Sequence, residues 1–339
     1  MSIKDKLPAG TKLGFGTAPL GNMFRAIPEE EAAATVEAAW QHGIRYFDTA
    51  PFYGAGLAEI RLGDILAKHK RSEYVLSSKV GRVILDEVED VSARDLGEKG
   101  GVFAHGRPNK IVNDYTADGT MRSIEDSLKR LKTDHIEIVY VHDVAQDFYG
   151  DEWLSVFEIA RKGAFRTLSK LRDEGVIKAW GIGVNRVEAC ELALDLSDPD
   201  GFLLAGRYTL LDHERALQRL MPAAAARNVE IVVGGPYSSG ILAGGAHFEY
   251  QKASPEIIAK VDRIKAIAQR HGVSVKAAAV QFALANPVVA AVIPGASKPE
   301  RLAEDQAAVA EVVPADFWRE MRREKLVAQN APLPIDKQG

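Results

Sequence analysis

The chain has 339 residues, 46% of them hydrophobic and 27% charged, with a formal net charge of -4. That balance leaves no basic footprint for nucleic acid or an anionic membrane surface, and no uninterrupted apolar run of about 18 residues is present to cross a bilayer. The single cysteine, Cys190, excludes an internal disulfide or a cysteine-built zinc cluster and fits a reducing, cytoplasmic setting, while the N-terminal stretch lacks the apolar core of a signal peptide.

In chain order, short apolar runs alternate with amphipathic stretches, the pattern of strand–helix repeats and a parallel sheet. Eight strands are expected, at 12–16, 46–48, 74–79, 136–142, 179–184, 202–205, 230–234 and 290–294. Helices are expected between them, among others at 29–42, 120–131, 165–174 and 214–227. Gly43, Gly175 and Gly272 read as helix stops, and Asp118 as an N-cap before the helix near Thr120. The stretch at about 80–117 breaks the rhythm: it is polar, glycine-rich and far longer than an ordinary strand-to-helix loop. On a barrel it would lie over the C-terminal mouth and shape the substrate site; the plainer reading is a surface loop. Residues 331–339 read as a polar, proline-containing tail.

Strand–helix units over 1–339 with no break in composition argue for a single-domain (β/α)8 barrel, with a doubly wound sheet as the rival. The rival needs a glycine-rich phosphate turn after the first strand. Gly14 and Gly16 have no third glycine at the right spacing and no helix directly after them.

Asp48 ends the expected second strand, Lys79 the third and His142 the fourth, and Tyr53 lies on the loop just past Asp48. Strand C-termini are where barrel enzymes keep their active sites. Taken singly, each residue has an ordinary explanation: a cap, a solvated strand end, a hydrogen-bonded core histidine, a packing aromatic. At successive strand ends they converge on one point, and the combination suits proton transfer coupled to hydride transfer. A free phenol titrates near pH ~10; a neighbouring ammonium would stabilise its phenolate and a carboxylate would hold that ammonium in place. Lys79 and Asp48 would thus tune Tyr53 as acid/base while His142 orients the substrate oxygen. The hydride itself requires a cofactor.

The segments FDTAPFYGAGLAEIRLG, SSKVGR, VHD, GIGVN and VIPGASKPERLAED follow one another over nearly the whole chain and resemble the signatures of the aldo-keto reductase family. The resemblance implies a metal-free NAD(P)-dependent oxidoreductase whose Asp–Tyr–Lys–His tetrad is Asp48, Tyr53, Lys79 and His142. It places Asn185 at the nicotinamide carboxamide, with Arg207 nearest to the position of a usual glutamine. Gly234, Gly235, Pro236, Tyr237, Ser238, Ser239 and Gly240 match the phosphate-side loop, although the usual stacking aromatic falls at Gly234. Gly295, Ser297, Arg301, Glu304 and Asp305 match the adenosine end. Arg301 can pair with a 2′-phosphate through its planar fork, which favours NADP over NAD, whereas the lysine common there falls at Gly295.

GTAPLGN, GIGVN and PYSSGIL resemble the aldose 1-dehydrogenase branch, which acts on L-fucose and D-threo-aldoses and has pyridoxal 4-dehydrogenase as a close relative. The resemblance implies oxidation of a sugar hemiacetal to its lactone, with pyridoxal oxidation or general NADPH-dependent reduction of aldehydes and ketones as alternatives. A non-enzymatic cofactor-binding relative is the third reading, disfavoured by the intact tetrad. Position alone offers Phe15, Met23, Phe52, Trp153, Arg82 and His105 for the substrate, with Phe52 favoured because it adjoins Tyr53. A small carbonyl or sugar is the expected partner, and nothing in the sequence sets an oligomeric state.

Overall fold

A computed structural model describes residues 2–90 and 101–337; the middle of the 80–117 stretch and the end of the expected tail fall outside them. The central strands are β1 (Phe15–Gly16), β2 (Tyr46–Asp48) and β3 (Val75–Val80), followed by a hairpin of β4 (Arg82–Val88) and β5 (Asn109–Asn113). After it come β6 (Ile138–His142), β7 (Ala179–Val184), β8 (Gly201–Ala205) and β9 (Glu230–Gly234), a second hairpin of β10 (His247–Phe248) and β11 (Gln251–Lys252), and β12 (Val289–Ile293). The eight central strands pair in the order β1-β2-β3-β6-β7-β8-β9-β12. Parallel bridges Leu13↔Val292 and Gly16↔Gly295 join the last strand to the first. The architecture is therefore the (β/α)8 barrel.

Strands buried on both faces explain why they read as continuous apolar runs. Side chains alternate across the wall. Tyr46, Ile138, Tyr140, Leu203, Val232 and Ile293 fill the barrel interior together with Ile3 and Leu7 from the N-terminal segment. Their neighbours Phe47, Val139, Trp180, Ile182, Phe202 and Leu204 face the helices. No helix among the described residues is long and apolar enough to cross a membrane.

Two expectations are corrected. The stretch after β3 is not a plain loop: its ends pair as the antiparallel hairpin β4–β5, from Arg82↔Asn113 to Val88↔Asn109. Its residues are largely half-exposed, so no buried run announced it. The helix of the third unit starts at Ala117, and its N-cap is Thr116, whose Oγ1 accepts the Gly119 N–H at 3.1 Å. Asp118 sits instead in the first turn, where its charge still favours the helix dipole.

Candidate active site

The charged strand ends meet at the C-terminal mouth of the barrel, around a cavity of about 570 Å³. Lys79, in β3, donates from Nζ to Asp48 Oδ2 at 2.7 Å and to the Thr49 carbonyl at 2.8 Å. Ser77 Oγ donates to the other carboxylate oxygen at 2.6 Å. Burial raises the Asp48 carboxyl above its ordinary range, opposed by Lys79 and Ser77.

Tyr53 sits on the loop after β2, whose backbone is pressed against the first strand-to-helix loop. A side chain on Gly54, which has φ 65°, would place its Cβ 2.3 Å from the Gly21 carbonyl oxygen. This contact seats the loop and points Tyr53 into the cavity, beside His142 and Phe103 with ring centroids 5.9 Å and 5.6 Å away. Lys79 Nζ lies 4.7 Å from the Tyr53 ring centroid. The expected tuning by lysine is not what this site displays: the phenol is held well above its ordinary value, first by burial and then by Asp48 and Asp143. The reason is geometric, since the hydrogen bonds of Lys79 go to Asp48 and Thr49 rather than to the phenol. His142 is pushed well below its ordinary value by burial, then by Lys79 and Arg82, and is a neutral imidazole.

Behind His142 lies a second polar cluster. Arg82, buried at the start of β4, donates to the Tyr115 hydroxyl at 2.6 Å, the Tyr149 hydroxyl at 3.2 Å and Asp143 Oδ2 at 3.3 Å. Tyr115 in turn donates its hydroxyl to the His142 carbonyl at 2.7 Å. Phe52 packs edge-on against His142, Phe103 and Phe148, giving the mouth an aromatic wall.

From the tetrad the cavity runs along the ends of β7, β8, β9 and β12. Asn185, Arg207, the whole of 234–240, Gly295, Ser297 and Arg301 all line it, as do the four tetrad residues and Phe52. Arg207 is braced by the Asn185 carbonyl at 2.8 Å, Asp212 at 2.8 Å and Glu249. Tyr237 donates to Asp305 Oδ1 at 2.6 Å, and Lys276 pairs with Asp305 at 2.7 Å and Glu304 at 3.0 Å. Glu304 and Asp305 therefore stand behind the cavity wall rather than on it. Of the substrate candidates, Met23 and Phe52 line the cavity, whereas Phe15 is a fully buried strand residue. Trp153 packs edge-on against Phe157 on a helix outside the barrel, Arg82 stands behind the cavity wall and donates to Asp143, and the carbonyl of His105 accepts the Asn22 amide.

Several lining residues were not singled out individually in the sequence. Val102 and Phe103 arrive from the long stretch after β3, and His247 to Gln251 from the β10–β11 hairpin. The hairpin reaches the opposite rim, where His247 stacks on Phe24 with centroids 5.0 Å apart. Asp143 was within sight, as the last residue of the VHD segment, but its contact with His142 depends on a backbone turn at φ 55°.

A model of the Aldo/keto reductase family matches residues 12–324. Pyridoxal 4-dehydrogenase of Microbacterium luteolum is 37% identical over 329 residues, covering 94% of this chain and 95% of its own. D-threo-aldose 1-dehydrogenase of a Pseudomonas species is 37% identical over 323 residues, covering 93% and 94%. Among solved structures, an aldo-keto reductase from Bacillus halodurans in its holo form matches with a TM-score of 0.67 at 26% identity, over 94% of this chain and 92% of that one.

Proposed function

The chain belongs to the aldo/keto reductase family, and from that premise we propose that it is an aldose 1-dehydrogenase that oxidises a sugar hemiacetal to its lactone with a nicotinamide cofactor. The observation that carries the reading is the meeting of Tyr53, His142 and the Lys79–Asp48 pair at one end of a cavity whose other end holds Arg301.

The lining suits a dinucleotide. Small residues, Gly235, Ser238, Ser239 and Gly240, allow close approach of backbone to phosphates. Asn185, whose side-chain amide donates to Asp147 Oδ2 at 3.4 Å, lines the cavity, and Arg301 offers a fork for a 2′-phosphate, which favours NADP. A nicotinamide held by Asn185 and the 234–240 segment would supply the hydride acceptor that the oxidation requires.

Within the protein, Tyr53 takes the proton of the anomeric hydroxyl, and neutral His142 hydrogen-bonds and orients that oxygen. Lys79 places a positive charge under the Tyr53 ring, and Asp48 holds the ammonium there. Phe52 supplies an apolar face for the substrate, and the residues of the long stretch after β3 shape the mouth.

A second reading, reduction of aldehydes including pyridoxal-type substrates, is favoured by one specific observation: Tyr53 lines the cavity with its phenol held in the protonated form that reduction requires. Following nicotinamide absorbance with NAD and NADP over a panel of aldoses and pyridoxal separates the readings. Turnover of L-fucose or a similar aldose supports the dehydrogenase; silence across the panel with reduction of simple aldehydes supports the reductase.

A further inference from the structure

Asp143 lines the cavity beside His142, yet the chemistry above gives it no task. Its backbone adopts φ 55°, uncommon for a non-glycine residue, with its N–H donated to the Gly183 carbonyl at 2.9 Å. The turn folds the carboxylate back onto the imidazole it follows, so that Oδ2 stands 3.5 Å from His142 Nε2. Because His142 Nδ1 is buried, Nε2 is the nitrogen available to a substrate oxygen. The imidazole and the carboxyl group of adjacent residues thus stand side by side on the cavity wall.

The carboxylate is built to stay in place. Arg82 holds Oδ2 at 3.3 Å and is itself held by Tyr115 and Tyr149. Among the described residues both polar contacts of the Asp143 side chain, with Arg82 and His142, fall on Oδ2, leaving Oδ1 as an acceptor. Around it are the rings of Phe52 and Phe148, over which the Arg82 guanidinium lies at 5.3 Å and 5.5 Å. A buried polar group left unmatched is costly, so a substrate that puts only carbon beside Asp143 is penalised.

We propose that Asp143 is a specificity-determining residue: it accepts a hydrogen bond from the hydroxyl on the carbon next to the reacting one, so that the site selects α-hydroxy aldehydes and their cyclic sugar forms over plain aldehydes. The inference rests on the tetrad reading above, which puts the reacting oxygen on His142. A site built to hydrogen-bond a substrate hydroxyl discriminates strongly against a ligand that lacks it.

The test is kcat/KM for reduction of lactaldehyde and of propanal, which differ at the adjacent hydroxyl, with NADPH and NADH. It is run on the wild type, Asp143→Ser, the near-isosteric Asp143→Asn and Tyr53→Phe, each checked for fold by circular dichroism. The lactaldehyde-to-propanal ratio is expected to fall roughly 10- to 100-fold in Asp143→Ser, with Asp143→Asn between it and the wild type. A ratio unchanged in both variants, while Tyr53→Phe abolishes turnover, overturns the role of Asp143 and leaves the tetrad standing. Wild-type turnover by Tyr53→Phe overturns the tetrad reading, and this inference with it.

Discussion

Lys79 Nζ lies 2.7 Å from Asp48 Oδ2, with both side chains at 2% exposure or less. Neither charge could stand alone there. Desolvation of each is offset by the other, by Ser77 and by the Thr49 carbonyl, and the pair is thereby fixed under the Tyr53 ring.

Removing one partner exposes that dependence. Lys79→Met leaves a carboxyl already raised by burial without its cation, and is expected to lower stability by about 3–5 kcal/mol. The measurement is a urea unfolding midpoint. A variant as stable as the wild type would mean that water or another cation reaches Asp48.

Tyr53→Phe is expected to lower turnover about 10²–10⁴-fold while leaving cofactor binding, read by quenching of protein fluorescence, close to the wild type. The pH dependence follows from the raised phenol. Oxidation needs the deprotonated form, which is scarce at neutral pH and grows as pH rises, so kcat/KM for oxidation climbs through the alkaline range. Reduction needs the protonated form and is level across neutrality. A plateau of the oxidation profile near neutral pH would contradict this.

At Gly54 a methyl group would meet the Gly21 carbonyl oxygen at 2.3 Å on a backbone with φ 65°. Gly54→Ala therefore has to overcome both a left-handed conformation and a backbone clash. A stability loss of roughly 2–4 kcal/mol is expected, with turnover falling because Tyr53 is the preceding residue. Crystallography or a thermal melt checks it; an unshifted melt would show the two loops free to separate.

Arg301→Gln is expected to raise KM for NADP about 10- to 100-fold with little effect on KM for NAD, through loss of a charge-assisted contact to the 2′-phosphate. Equal effects on both cofactors would place Arg301 elsewhere on the dinucleotide.

Asp143 sets a stability dependence of its own. Burial, opposed by Arg82, pushes its carboxyl up to about 7 from 3.8. Between those values the folded state binds the extra proton, so the contribution of Asp143 is full below about pH 4 and is lost as pH rises to about 7. The stability of the wild type relative to Asp143→Asn is expected to decline over that window, with His142 common to both proteins. Unfolding curves at several pH values test the sign; a relative gain on raising pH would mean that Arg82 outweighs burial.

Much of this protein is determined locally. Residues buried on both faces of a strand must be apolar, so the eight runs and their order were legible, and with them the strand ends where Asp48, Lys79 and His142 stand. The segments 234–240 and 295–297 were singled out by family resemblance alone, and the structure lines the cavity with Gly234–Gly240, Gly295 and Ser297. Boundaries were less legible where competing groups lie close: Thr116 takes the N-cap because its hydroxyl reaches the Gly119 N–H. Contacts between distant segments were left to the tertiary structure. The pairing of β4 with β5, the arrival of Phe103 and His247 at the mouth, and the Arg82–Asp143–His142 cluster join residues whose local sequence is neutral about their partners. The protonation of Tyr53 belongs to the same class. The expected position of Lys79 at the adjoining strand end suggests a lowered phenol, but desolvation and the approach of two carboxylates raise it, and both exist only once the barrel has closed around the ring.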